Sequence, residues 1–150
     1  MIPPFDVITG NLPPGIHQAA WDEVQSRYGT TSVRRVQLSG LRHALEILRE
    51  AGCRRAYIDG SFVTVKQTPN DFELCWELSD VNLDLLEQLE PALLDWSDRR
   101  AAQKARFGGE LFVAESGADP WGTTYLSFFQ HDRITGKSKG IVAMDLGELT

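Results

Sequence analysis

The chain has 150 residues, of which 42% are hydrophobic, 24% charged and 9% aromatic, and a formal net charge of −6. That length gives one domain with a core that needs no disulfide or metal staple, and apolar residues along the whole chain argue against disorder. The acidic balance argues against non-specific coating of nucleic acid, which depends on neutralising phosphates.

No apolar run is long enough to cross a bilayer. The opening Met1-Ile-Pro-Pro-Phe-Asp6 lacks the basic-then-apolar order of a secretory signal. Cys53 and Cys75 lie in separate apolar segments without metal-ligand spacing, so reduced thiols and a cytoplasmic location are expected. Charge is distributed in blocks. Nine acids and no Lys or Arg fall between Asp71 and Asp98, and Arg99, Arg100, Lys104 and Arg106 follow at once. An acidic block of this kind is ordinarily a solvated face.

Residues 1–16 hold four of the seven prolines and read as an extended arm packed on the body, leaving 17–150 as a single domain. His17 to Tyr28 reads as a helix closed by Gly29. The next helix has an N-cap in Thr30-Thr-Ser32. Its Leu38, Leu41, Leu45 and Leu48 lie on one face, Gly52 ends it, and its arginines fall mostly off that stripe. They read as solvent-facing, though Arg34 and Arg35 stand near enough to the helix start to reach a neighbour.

Arg55 to Asp59 reads as a strand ending in Gly60-Ser61, and Phe72 to Leu78 as a second strand. Helices are expected over 82–96, where Leu83, Leu86, Leu89 and Leu93 keep helical spacing, and over 98–107, ended by Gly108-Gly109. Strands are expected over 110–114, 124–130 and 141–146, the last two joined by the basic turn 132–140. The segment 124–130 has a second reading as a helix start. No internal repeat or low-complexity tract stands out. The order implies an α/β (α+β) domain, a mixed β-sheet with helices packed on it.

The chemistry concentrates in Ile58-Asp59-Gly60-Ser61 and, after a loop, Asp71-Phe72-Glu73-Leu74. On an extended segment Asp71 and Glu73 project from one face while Phe72 enters the core. Two carboxylates so placed repel unless a proton or cation lies between them, and hard oxygen pairs of this kind suit Mg²⁺ beside phosphate oxygens. Gly60 permits close approach of backbone, and the amides and hydroxyl around Ser61 suit a phosphate. Gly136-Lys-Ser138 is no P-loop, because His131 stands where that loop needs glycine and a strand follows in place of a helix. His17, His43 and His131 lack ligand spacing. The turn with Arg133, Lys137 and Lys139 reads as a solvated hairpin tip.

Hydrophobic-Gly-Ser followed by Asp-hydrophobic-Glu-hydrophobic resembles the signature of the polymerase-beta-like nucleotidyltransferases, with Gly60, Ser61, Asp71 and Glu73 matching position by position. More widely, the chain resembles a small, largely uncharacterised bacterial family related to that superfamily. Leu12-Pro-Pro-Gly-Ile-His17, Asp59-Gly-Ser-Phe-Val-Thr64, Gly108-Gly-Glu-Leu-Phe112 and Phe128-Phe-Gln-His-Asp-Arg133 carry that likeness. The resemblance implies a minimal nucleotidyltransferase-like fold that uses Mg²⁺ and a nucleoside triphosphate. Asp71 and Glu73 would hold metal, and Gly60, Ser61, Lys66 and Lys104 (or Arg106) the nucleotide.

Active members of that superfamily carry a third carboxylate on a later strand. Glu110 is the first choice here, followed by Asp132 and Glu115, while Ser127 stands where an acid would also serve. The implied acceptor is a protein side chain, a tRNA end or a small molecule. A partner protein is expected by analogy with toxin–antitoxin and phage-defence pairs, and no membrane is involved. The alternative is a catalytically degenerate fold acting as a protein-binding module, an antitoxin or assembly subunit.

Overall fold

The computed structural model describes residues 1–150. Five strands form one mixed sheet in the order β1-β5-β2-β3-β4. They are β1 (Gly15–Gln18), β2 (Arg55–Asp59), β3 (Phe72–Trp76), β4 (Gly109–Val113) and β5 (Gly140–Asp145). β1 runs parallel to β5 and β3 parallel to β4, while β2 is antiparallel to both of its neighbours. One edge of the sheet therefore collects the starts of β1, β5, β3 and β4 together with the end of β2. The expected α+β architecture holds, and no helix is long and apolar enough to cross a membrane.

Five helices accompany the sheet: α1 (Trp21–Tyr28), α2 (Ser32–Glu50), α3 (Leu83–Leu89), α4 (Ser97–Phe107) and α5 (Tyr125–Phe128). α2 is the central one. Thr31 caps it by accepting a bond from the Arg34 amide, and Leu38, Leu41, Leu45 and Leu48 are all buried. They join Ala56 and Ile58 of β2, Leu74 and Trp76 of β3 and Leu111 of β4 in one core on a single face of the sheet. The opposite face carries a smaller cluster in which Tyr57, Cys75, Phe112 and Ile141 pack beneath Phe129 and its α5 neighbours.

Four expectations are corrected. His17 and Gln18 complete the edge strand β1 rather than starting a helix, which begins at Trp21. The arm's last two residues, Gly15 and Ile16, thus belong to the sheet, while Ile2 and Leu12 of the arm are buried in the main core. The helix expected over 82–96 stops at Leu89. Pro91 disfavours helical backbone at the residue before it, Glu90 is extended, and a 3₁₀ turn over Pro91–Leu94 still buries Leu93. Within 124–130, Tyr125–Phe128 form the short helix α5, capped by Thr124, and no strand, because β1 and β2 occupy both sides of β5. Arg34 is buried rather than solvent-facing.

The outer edge of β4 is closed by α4. Three successive residues, Asp98, Arg99 and Arg100, have φ of 49°, 52° and 60°. This left-handed turn is costly for residues with a Cβ. It delivers Arg100, which donates from Nε to the Leu111 carbonyl and stacks 4.0 Å over Phe112. One helical turn later, Gln103 accepts from the Leu111 amide at 2.8 Å. The two side chains satisfy the amide and carbonyl of Leu111, which another chain would otherwise pair with.

Gly40 of α2 sets how closely α2 approaches the end of α4. A Cβ there would lie 1.8 Å from the Phe107 carbonyl oxygen. Gly40→Ala forces the two helices apart and is expected to cost at least about 1–3 kcal/mol, the range for overpacking, read as a lowered urea midpoint with unchanged slope.

Candidate functional site

The strand register places a row of acids across the sheet. Asp59 of β2 is opposite Glu73 of β3, and Glu73 is opposite Glu110 of β4. Neighbouring strands are about 4.8 Å apart and paired residues share a face, so the three side chains stand side by side. Asp71, two positions before Glu73, joins them from the same face, while Phe72 between them is fully buried in the main core. Carboxylate oxygens of Asp71, Glu73 and Glu110 all lie within 4.8 Å of one another. None of the three takes part in an ion pair.

This crowding displaces the acids' proton affinities. Burial, followed by the charge of Glu73, raises the Asp59 carboxyl well above the usual carboxylate range. Asp59 has no solvent exposure, and its Oδ1 has no donor facing it. Burial also raises Glu73 and Asp71, against opposing contributions from the Asp59 hydrogen bond at Glu73 and from Lys104 at Asp71. A protonated Asp59 donating to Glu73 satisfies both groups. Cys75, next along the same face, donates to Asp59 Oδ2 at 3.5 Å and is a buried thiol raised by its surroundings.

Gly60 follows Asp59 with φ of 75°, and a Cβ at that position would sit 2.7 Å from Glu73 Oε2. Only glycine fits the bend against the carboxylate. Gly60–Val63 then forms a 3₁₀ turn that exposes Ser61 to a cavity of about 230 Å³. Glu73 lines that cavity together with Phe128, His131, Arg133 and Lys139, while Asp71 and Glu110 do not border it.

The loop after the bend is held from α2. The Arg34 guanidinium, 3% exposed, donates to the carbonyls of Phe62 at 2.6 Å, Thr64 at 2.8 Å and Lys66 at 3.2 Å. It also lies 5.0 Å over the Phe62 ring. Gln37, one turn further along, donates to the Pro69 carbonyl at 2.6 Å. α2 therefore presents two stripes: leucines to the core, and Thr31, Arg34 and Gln37 to the segment linking the bend with Asp71.

The structure brings Asp71, Glu73 and Glu110 into one cluster with Gly60 and Ser61 beside it. Lys66 and Lys104 stand close enough to Asp71 to favour its ionised form, but neither lines the cavity at Ser61. Arg106 is held by Glu90 at 2.6 Å and does not join. Glu115 is occupied by the Leu78 amide. Asp132 reaches the cavity wall, but its Oδ1 is committed to the amides of Ile134 and Thr135. Ser127 lies on α5 rather than on a strand.

Two parts of the site escape sequence reasoning. Asp59 lies within the motif but reads as no more than the last residue of a strand. The basic turn reads as a solvated tip, yet Arg133 and Lys139 face the cavity at Ser61 and Glu73. Only the sheet order, which places β5 beside β2, gives them that position.

The fold and site together define a small α+β protein with a carboxylate cluster at one sheet edge. The chain belongs to DUF6932, a family of unknown function, which it matches over residues 3–145. Neither the curated proteins nor the solved structures contain a match to it.

Two outcomes follow. Arg34→Met leaves three loop carbonyls without their donor, at roughly 1–3 kcal/mol for each that finds no water. Amide exchange should rise selectively over residues 62–66 while the leucine face of α2 stays protected. Secondly, Asp59 keeps its proton in the folded state at pH values where the unfolded chain has lost it. Stability is therefore lost as pH rises above about 4 toward the raised value, by roughly 1.4 kcal/mol per pH unit. Asp59→Asn removes this dependence. Its melting temperature should match the wild type's near pH 4 and exceed it as the pH rises above that.

Proposed function

We propose that this chain is a metal-dependent nucleotidyltransferase that moves a nucleoside monophosphate from a nucleoside triphosphate to an acceptor hydroxyl. The supporting observation is the clustering of three hard-oxygen donors, Asp71, Glu73 and Glu110, without an ion-pairing cation and beside a glycine–serine bend. That donor set fits Mg²⁺, which prefers carboxylate oxygens together with phosphate oxygens. When bound, such an ion offsets triphosphate charge and makes an acceptor hydroxyl more acidic.

The remaining work falls to the chain's own groups. The Ser61 hydroxyl and the backbone of the 60–63 turn grip phosphate oxygens. Arg133 and Lys139 neutralise them from the same cavity, and Lys66 and Lys104 add positive charge on the Asp71 side. The acceptor oxygen forms a bond to the α-phosphorus as the bond to pyrophosphate breaks, and Glu110 takes the acceptor's proton. The buried Asp59 holds Glu73 in place by a hydrogen bond. In this reading the protein works in the cytoplasm, where triphosphates are abundant, and a partner protein completes its biological role.

Calorimetric titration with each nucleoside triphosphate in the presence of Mg²⁺ tests the reading. Wild type is expected to bind one or more of them. Asp71→Asn/Glu73→Gln should bind at least about tenfold more weakly, the minimum expected on losing two metal-holding groups. Absence of binding by the folded wild type overturns the transferase reading in favour of a degenerate fold that binds protein partners.

A further inference from the structure

A five-residue pattern, Asp-x-Ile-Thr-Gly, occurs twice in the chain, over Asp6–Gly10 and Asp132–Gly136. The two copies fold alike. Asp6 Oδ1 accepts from the amides of Ile8 and Thr9 at 2.8 and 2.9 Å, and Asp132 Oδ1 from those of Ile134 and Thr135 at 2.8 and 3.0 Å. Thr9 Oγ1 accepts from the Asn11 amide and Thr135 Oγ1 from the Lys137 amide, both at 3.2 Å. The Gly10 and Gly136 amides each return to the aspartate carbonyl at 2.9 Å, with φ of 73° and 70°.

The two turns precede β1 and β5, which are parallel, adjacent and in register from Gly15 and Gly140 onward. They therefore stand together at the sheet edge that carries Gly60, Asp71 and Glu110. Between them lies a cavity of about 670 Å³ whose walls include both turns and the Leu12-Pro-Pro14 segment. This cavity shares Asp132 and Ile134 with the smaller one at Ser61 and Glu73, so the two adjoin across that segment.

Each turn presents its isoleucine outward. Ile8 is 91% exposed and Ile134 is 95% exposed, and both border the larger cavity. Large aliphatic side chains held on pinned backbone and left in water are suited to burial by a partner, with little ordering cost on binding. The charged residues of the larger cavity are Asp6, Asp132 and Lys137. One cation against two carboxylates is the wrong balance for a polyanion. Apolar knobs, a proline wall and a slight excess of negative charge instead complement a neutral or basic polypeptide.

Resting on the transferase reading above, we infer that the cleft between the twin turns is the acceptor site and that the acceptor is a polypeptide. Ile8 and Ile134 would clamp a segment so that a Ser, Thr or Tyr hydroxyl passes over Ile134 toward Glu73 and Glu110. The hydroxyl oxygen then bonds to the α-phosphorus, pyrophosphate leaves and the hydroxyl proton goes to Glu110.

The test is selection of a displayed library of random hydroxyl-containing peptides against the full-length protein and against Ile8→Asp/Ile134→Asp. Both positions are exposed, so the variant is expected to keep the wild-type melting temperature; Ile8 lies outside the cavity at Ser61, so Ile8→Asp alone is expected to keep triphosphate binding as well. Ile8→Ser/Ile134→Ser serves as a milder control. Peptides selected by the wild type should bind the aspartate variant about tenfold or more weakly. They should also acquire label from an α-labelled triphosphate with Mg²⁺.

Failure to enrich peptides, or equal binding by the aspartate variant, overturns the inference. Label appearing on added bulk tRNA in place of peptide overturns it as well. So does a wild-type dimer that Ile8→Asp/Ile134→Asp abolishes while no peptide binds. Triphosphate binding without peptide enrichment defeats the cleft assignment alone. Isoleucine-dependent peptide binding without triphosphate binding supports the cleft as a polypeptide site and defeats the transfer chemistry.

Discussion

The buried guanidinium of Arg34 is the constraint on which the candidate site depends. No carboxylate partners it, and three backbone carbonyls satisfy it instead. A cation removed from water needs several strong acceptors, and carbonyl oxygens supply them only if the loop curls around the charge. That curl is the path from the end of β2 to the start of β3. It turns Gly60–Val63 into a 3₁₀ segment, places Ser61 at the cavity and returns the chain so that Glu73 stands beside Asp59. The energy of the loop thus resides in α2, the most deeply anchored helix, and not in the loop's own exposed residues.

Placed on such a support, the acidic row becomes intelligible. Strand register alone would set Asp59, Glu73 and Glu110 at neighbouring positions, where full ionisation is unfavourable. The two ends of the row resolve the conflict differently. At the β2 end there is no solvent, and a proton on Asp59 removes the repulsion. At the β3–β4 end the three oxygens remain partly exposed, with basic side chains nearby but outside ion-pair distance. That half of the row is open to solvent, and no side-chain cation closes it. The gradient from a dry end at Asp59 to a wetter end at Asp71 and Glu110 follows from burial.

The layout also accounts for which parts of the molecule are legible in the sequence. Leu38, Leu41, Leu45 and Leu48 announce α2, because aliphatics at steps of three and four share one face of a helix and would scatter over both faces of a strand. Asp71, Phe72 and Glu73 announce their own facing, because alternation is a local property of extended chain. Arg34 is not legible as a buried residue, since its acceptors lie about thirty positions away and are backbone atoms that leave no mark in side-chain pattern. The strand at 15–18 is hidden for a related reason. Gly-Ile-His-Gln has no strong strand character, and it is extended because β5 offers it a ladder. Residues 124–130 show the converse: aromatic, strand-like residues form a helix because no free edge of β5 remains for them.

The same topology ties the N-terminal arm to the chemistry of the sheet edge. Adjacent parallel strands must enter the sheet from the same end, so whatever precedes β1 is obliged to lie next to whatever precedes β5. A basic hairpin before β5 reaches the cavity at Ser61 because β5 pairs with β2. An arm before β1 reaches that hairpin because β1 pairs with β5. The buried Ile2 and Leu12 fix the two ends of the arm on the core, which leaves the turn between them as the part able to project. Its exposed isoleucine is then a consequence of anchoring on both sides, and its position beside the second turn follows from strand direction. An extended, proline-rich segment that would read as a tether on composition alone is thereby made one wall of the cleft.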